Sequence, residues 1–174
     1  MLAKRQPKGV YGYLPIRPDL LKFIQWRENL APDQALEVPG KGQISHYLAT
    51  LIDFGKSLYF PGANRESREH PEHSAKLKFI AKPGLIDYTF FEYADKVAEC
   101  FNVFLYHAWL EEQSRYVSIA VNYSAKLDAK DALEELRLAS GMDDFRDSDA
   151  DIKAYYRLRL HRGQVKPRPR SIAV

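Results

Sequence analysis

The chain has 174 residues, 45% hydrophobic and 28% charged, a length that points to one domain and a balance that argues against both disorder and membrane embedding. No apolar run reaches the roughly 18 residues of a membrane-spanning helix, and the opening Met-Leu-Ala-Lys-Arg-Gln-Pro-Lys lacks the apolar stretch of a secretion signal, so a cytoplasmic protein is expected. The net charge of +3 is unevenly spread: residues 1–10 carry Lys4, Arg5 and Lys8, residues 152–174 carry seven cations, and neither segment has an acid, which leaves 16 cations against 23 acids between them. Basic ends on an acidic body suit contact with a polyanion, and equally describe solvated tails.

Proline divides the chain into unlike halves. Eight of the ten prolines fall at or before Pro83, and between Leu85 and Arg162 the only breaker is Gly141. Residues 11–83 therefore read as short elements joined by turns, and residues 84–163 as helical. Pro18 suits the first position of a short helix carrying Leu20, Leu21, Ile24 and Trp26, closed by Asn29 and Pro32. Gly40-Lys41-Gly42 turns the chain into a second helix with Ile44, Tyr47, Leu48, Leu51 and Ile52 on one face, for which Gly55 fits the position just past the C-terminus. Lys76 to Lys82 alternates for two steps ahead of Pro83-Gly84 and reads as a strand.

The second half opens on Thr89-Phe-Phe-Glu92, which has the spacing of a capping box. Phe91, Ala94, Ala98, Phe101, Leu105, Ala108 and Trp109, widened by Val97 and Phe104, then form the apolar stripe of a long central helix. Tyr116, Ile119, Ala120 and Tyr123 extend it, although Val117, Ile119, Val121 and Tyr123 would also suit a strand; helix is the favoured reading. Asp128 and Asp131 cap a following helix with Leu133, Leu136 and Ala139, which Gly141 ends. After an acidic linker, Ser148 and Asp151 again have cap spacing, and Ile152, Tyr155, Tyr156 and Arg159 share a face up to Gly163. Asp149 and Asp151 in its first turn, and Arg159, His161 and Arg162 in its last, complement the helix dipole.

The last two helices, about Ala129–Ser140 and Asp149–Arg162, have the order of a helix-turn-helix whose second helix would offer Lys153, Tyr156, Arg157 and Arg159 to nucleic acid. The connection through Gly141 to Ser148 is longer than the usual three- or four-residue turn. The same pattern also describes two amphipathic helices with a solvated basic face. Beyond them, Gln164-Val-Lys-Pro-Arg-Pro-Arg170 is too proline-rich for helix and reads as an extended tail. Lys166, Arg168 and Arg170 along it, with Arg162 at the end of the preceding helix, would meet phosphates; an ordinary disordered terminus is the equal alternative for the tail.

Other chemistry finds less support. Glu66, Glu69, His70, Glu72 and His73 have metal-ligand chemistry, but Pro71 keeps the two imidazoles off one regular helix turn, so no metal is expected. Cys100 cannot form an internal disulfide and reads as a small buried hydrophobe rather than as the partner of His107 in a hydrolase. Gly40-Lys41-Gly42 lacks the spacing of a phosphate loop, Asn122-Tyr-Ser124 is a sequon without a secretory context, and the 22 aromatic residues read as core more than as base-stacking platforms.

The run Phe101-Asn-Val-Phe-Leu105, followed by Glu111-Glu112, a capped helix, an acidic linker and Lys153-Ala-Tyr-Tyr-Arg157, resembles uncharacterised proteins of bacteriophages and other bacterial mobile elements over residues 77–160. The resemblance implies a small helical protein with a helix-turn-helix-like C-terminus and transfers no catalytic residue. The expectation is a mainly α single domain over residues 1–163, built on one long central helix with at most a short strand or hairpin, and a basic tail over residues 164–174. Its expected role is non-enzymatic binding of double-stranded DNA without a cofactor, as a regulator or accessory factor. The alternative is a structural or adaptor protein that binds another protein or its own copy.

Overall fold

The computed structural model describes residues 9–57, 72–123, 128–142 and 148–161, with backbone alone for Ser148 and residues 158–161. Helices dominate: α1 (Pro18–Arg27), α2 (Gln43–Ser57), α3 (Phe90–Tyr123), α4 (Ala129–Ser140) and α5 (Ser148–His161). None of them is long and apolar enough to cross a membrane. Strand content exceeds the single strand or hairpin expected, because β1 (Val10–Ile16), β2 (Leu36–Val38) and β3 (Ala75–Ala81) form a three-stranded sheet in the order β1-β3-β2. The chain divides into two compact units, Met1–Tyr106 and His107–Val174, and α3 begins in the first and ends in the second.

In the first unit β3 is central, antiparallel to β1 and parallel to β2. β1 alternates Gly12, Leu14 and Ile16 inward with Tyr11 and Tyr13 outward. It lies at the sheet edge, the position at which a proline such as Pro15 is tolerated. Gly12 faces Phe79, and a Cβ at Gly12 would overlap the Cζ end of the Phe79 ring, so the missing side chain lets the ring lie across the strand. Phe79 is fully buried and meets Phe90 edge-on at 5.8 Å.

A polar clamp joins the end of β1 to α3. The buried Asn102 side chain accepts from Arg17 N at 3.0 Å and donates to Pro15 O at 3.2 Å and Ala98 O at 2.8 Å. Pro18 begins α1, as its fixed φ favours, and Arg17 pairs with the buried Asp19 at 2.8 Å. Asn102→Ala removes both halves of the amide and leaves a part-buried backbone donor, Arg17 N, and acceptor, Pro15 O, without it. The expected cost is about 2–4 kcal/mol, read by urea unfolding, with Asn102→Asp recovering only the acceptor side.

Gly55 does not end α2 but lies within it. A Cβ there would approach Tyr93 Cδ2 to 2.9 Å and Val97 Cγ2 to 3.1 Å, so this glycine is where α2 closes on α3. Tyr47 of α2 is not buried with its neighbours Ile44 and Leu48 but stacks on Phe104 of α3, centroids 3.8 Å apart. At the start of α3, Thr89 N and Oγ1 both donate to Asp87 Oδ1, at 2.9 and 2.6 Å, so Asp87 joins the cap and the threonine hydroxyl is a donor. Those bonds, followed by the Lys56 ammonium 3.1 Å from Asp87 Oδ2, hold the carboxyl below its ordinary 3.8.

Along α3 the inward stripe begins at Phe90 and Tyr93 rather than Phe91, which is 75% exposed. Burial, followed by the charges of Asp87 and Asp53, pushes the Tyr93 phenol up to about 12. A raised phenol pKa means that the unfolded chain loses this proton first as pH rises. Stability from Tyr93 is thus complete below about pH 10 and declines toward 12. In a phenolate absorbance titration Tyr93 should ionise late, as should Tyr116, whose phenol is raised by burial followed by the Glu135 charge, and Tyr93→Phe should remove its share of that late step and flatten the alkaline loss of stability. Helix continues to Tyr123, as favoured, but Val117 faces the core where Ile119 and Tyr123 were expected to, both being exposed. Cys100 is likewise exposed rather than buried.

Candidate nucleic-acid interface

The second unit builds the C-terminal helix pair from local signals and then locks it with buried chemistry. Asp128 caps α4 by accepting from Lys130 N at 2.7 Å and Asp131 N at 2.9 Å. Gly141 closes it in the left-handed conformation, φ 65°, while Met142 N donates to Arg137 O at 2.9 Å. Ala132, Leu133, Leu136, Arg137 and Ser140 form the buried face of α4, and the exposed Ala139 lies off it. Val117 of α3, Ala132 and Leu133 of α4 and Tyr155 of α5 form one core cluster, against which Tyr116, Ala120, Ala129 and Ile152 pack.

α5 is fixed by an ionic contact that its sequence disguises as a dipole-complementing acid. Asp151 is fully buried, with its Oδ2 3.9 Å from Nε of the buried Arg137, whose NH1 also donates to Glu134 Oε2 at 3.1 Å. Asp151 and Tyr155 are four residues apart and so share the inward face. Tyr156, read from the spacing as sharing a face with Tyr155, is instead 46% exposed while Tyr155 is buried, and the two rings meet edge-on at 5.3 Å. One α5 turn cannot bury both adjacent tyrosines, and the position four residues from Asp151 takes the core.

This inward set leaves Lys153, Tyr156 and Arg157 together on the exposed side of α5. Spacings of three and four residues bring them to one surface patch that combines two cations with an aromatic ring. Arg159 belongs to the α5 backbone, but its side chain lies outside the described residues. Arg162, Lys166, Arg168 and Arg170 lie outside them altogether, as does most of the Gly141–Ser148 connection.

The competing sites resolve differently. Gly40 N donates to Ser45 Oγ at 3.0 Å, Ser45 Oγ donates to Gly42 O at 2.8 Å, and a Cβ at Gly42 would overlap the Glu28 carboxylate. The glycines thus turn the chain into α2, and an acid faces the loop where a phosphate would need a cation. Glu66, Glu69 and His70 fall outside the described residues, among which no group of three or more His, Cys, Asp or Glu could hold a metal ion.

Sequence reasoning did not single out the outward sheet residues Tyr11, Tyr13, Lys76 and Lys78. Their signal was a period of two in Tyr11-Gly-Tyr13 and Lys76-Leu-Lys78, hidden in the first case by Gly12 and Pro15, which read as breakers. Compared with known proteins, the chain matches no family model, no curated protein and no solved structure, and its function is read from these residues.

Proposed function

We propose that the protein binds double-stranded DNA without catalysing a reaction, as a regulator or accessory factor of a phage or mobile element. The observation that carries this reading is the division of α5: Asp151 and Tyr155 hold it from within, and Lys153, Tyr156 and Arg157 face solvent. A helix anchored on one side and cationic on the other suits a duplex groove, where guanidinium groups pair with guanine and ammonium groups with phosphate. The run of cations after Asp151, unbroken by any acid, adds phosphate contacts in proportion to its length.

Selection from random duplexes, followed by affinity measurements across salt concentrations, tests the reading. Arg157→Ala is expected to cost about 1–3 kcal/mol on the selected site and less on random duplex, whereas Lys153→Ala should weaken both alike and reduce the salt slope by about 0.9. Selection without enrichment would reduce the reading to non-specific electrostatics. A wild-type chain that binds no duplex at low salt would overturn it in favour of the adaptor role.

A further inference from the structure

The sheet of the first unit carries a second surface, independent of α5. Its register sets Tyr11 opposite Ile80, Tyr13 opposite Lys78 and Pro15 opposite Lys76, so the two tyrosines and the two lysines share one face. Tyr11 is 54% and Tyr13 51% exposed, although both belong to a strand whose alternate residues Leu14 and Ile16 are fully buried. Two residues of strand set the Cα atoms of Tyr11 and Tyr13 about 6.8 Å apart, which is room for two neighbouring flat ligands. Lys76 is exposed, and Lys78 Nζ lies 5.1 Å from the centroid of the Tyr11 ring. Ile80, 6% exposed, lies opposite Tyr11 on the same face, and the exposed Glu37 of β2 lies opposite Ile80, one strand farther from the tyrosines.

Aromatic rings side by side on a sheet, with cations on the adjacent strand, match the two recurring features of a single strand: a flat base and a phosphate for every nucleotide. We propose that this face binds single-stranded DNA, with Tyr11 and Tyr13 stacking on two successive bases and Lys76 and Lys78 meeting the flanking phosphates. The lysine over Tyr11 is displaced on binding, since an exposed cation–π contact is weaker than a base stacked on the same ring, and the freed ammonium becomes available to phosphate. Charge complementarity favours a polyanion over an apolar protein partner, which would leave Lys76 and Lys78 without a role. Base faces and phosphates suffice for these contacts, so a deoxyribose strand provides everything the face uses.

The test is fluorescence polarisation of a short labelled oligo(dT) with the full chain over a range of salt. Tyr11→Thr with Tyr13→Thr, which keeps β-forming residues in the strand, should weaken binding about tenfold or more, while Tyr13→Phe, which keeps the ring, should bind like the parent. Lys76→Gln with Lys78→Gln should reduce the salt slope by about 1.4, the value for two phosphates on a single strand. Arg157→Ala should leave oligo(dT) binding unchanged, so failure here and failure of the α5 reading are separable. If the threonine variant does not fold, Tyr11→Trp should show fluorescence quenched by oligo(dT) relative to the parent. Unchanged affinity in the folded threonine variant, absent quenching in Tyr11→Trp, or binding of oligo(U) without oligo(dT) would each overturn the proposal.

Discussion

Phe101→Ala is expected to lower the unfolding free energy by about 3–5 kcal/mol, a large share of the 5–15 kcal/mol typical of a folded domain. Phe101 is 1% exposed and stacks near-parallel to Phe104, with centroids 6.3 Å apart. Truncation forfeits the burial of the ring and leaves a cavity whose cost depends on how far the walls can close. Next to it Asn102 is held by three hydrogen bonds, so α3 cannot shift inward without straining them. Urea unfolding of the variant checks this, and a melting temperature within a degree or two of the parent would place Phe101 outside the core.

The second large effect is expected from the Arg137–Asp151 pair. Replacing one member of a buried ion pair costs about 3–5 kcal/mol, because the other charge was desolvated in exchange for it. Both side chains are buried, Arg137 at 7% and Asp151 at 1% exposure, so either single substitution, Arg137→Met or Asp151→Ala, leaves a desolvated charge, and Arg137→Met with Asp151→Leu should lose less than the sum of the single variants. Both single variants should also weaken duplex binding, through loss of α5 docking rather than loss of contact. Denaturant unfolding of all three, alongside affinity for the selected duplex, tests the coupling; an Asp151→Ala protein as stable as the parent would remove the pair from the account of how α5 is held.

What was legible in the sequence was what a few adjacent residues decide. Pro18, Asp128 and Gly141 mark helix boundaries through their own backbone chemistry, and the structure places α1 and α4 where those signals put them. β3 was legible from its own alternation. β1 and β2 were not: Gly12 and Pro15 interrupt the first, and Leu36–Val38 is too short to show a period. Gly55 reads as a helix end until Tyr93, far along the chain, is seen to need its space. Asp151 reads as a first-turn acid until Arg137 is found beside it. On the candidate α5 surface, the grouping of Lys153, Tyr156 and Arg157 followed from helical spacing, but which of Tyr155 and Tyr156 turned inward depended on partners in α3 and α4. The sheet face had no legible counterpart, because it comes into existence only when two strands far apart in the chain pair in one register.

The meeting of Gly12 and Phe79 links the histories of two distant positions. No side chain can enter at position 12 while the ring remains, and loss of the ring opens a gap beneath Phe90 that glycine cannot fill. Each single step is penalised, and only a paired exchange, a branched residue arriving at position 12 as position 79 shrinks, crosses between two well-packed states. Among descendants of this sequence the two sites should therefore drift in concert, glycine accompanying an aromatic residue and a larger residue accompanying a small one. A library randomised at both positions and selected for folded protein should recover those combinations and few others.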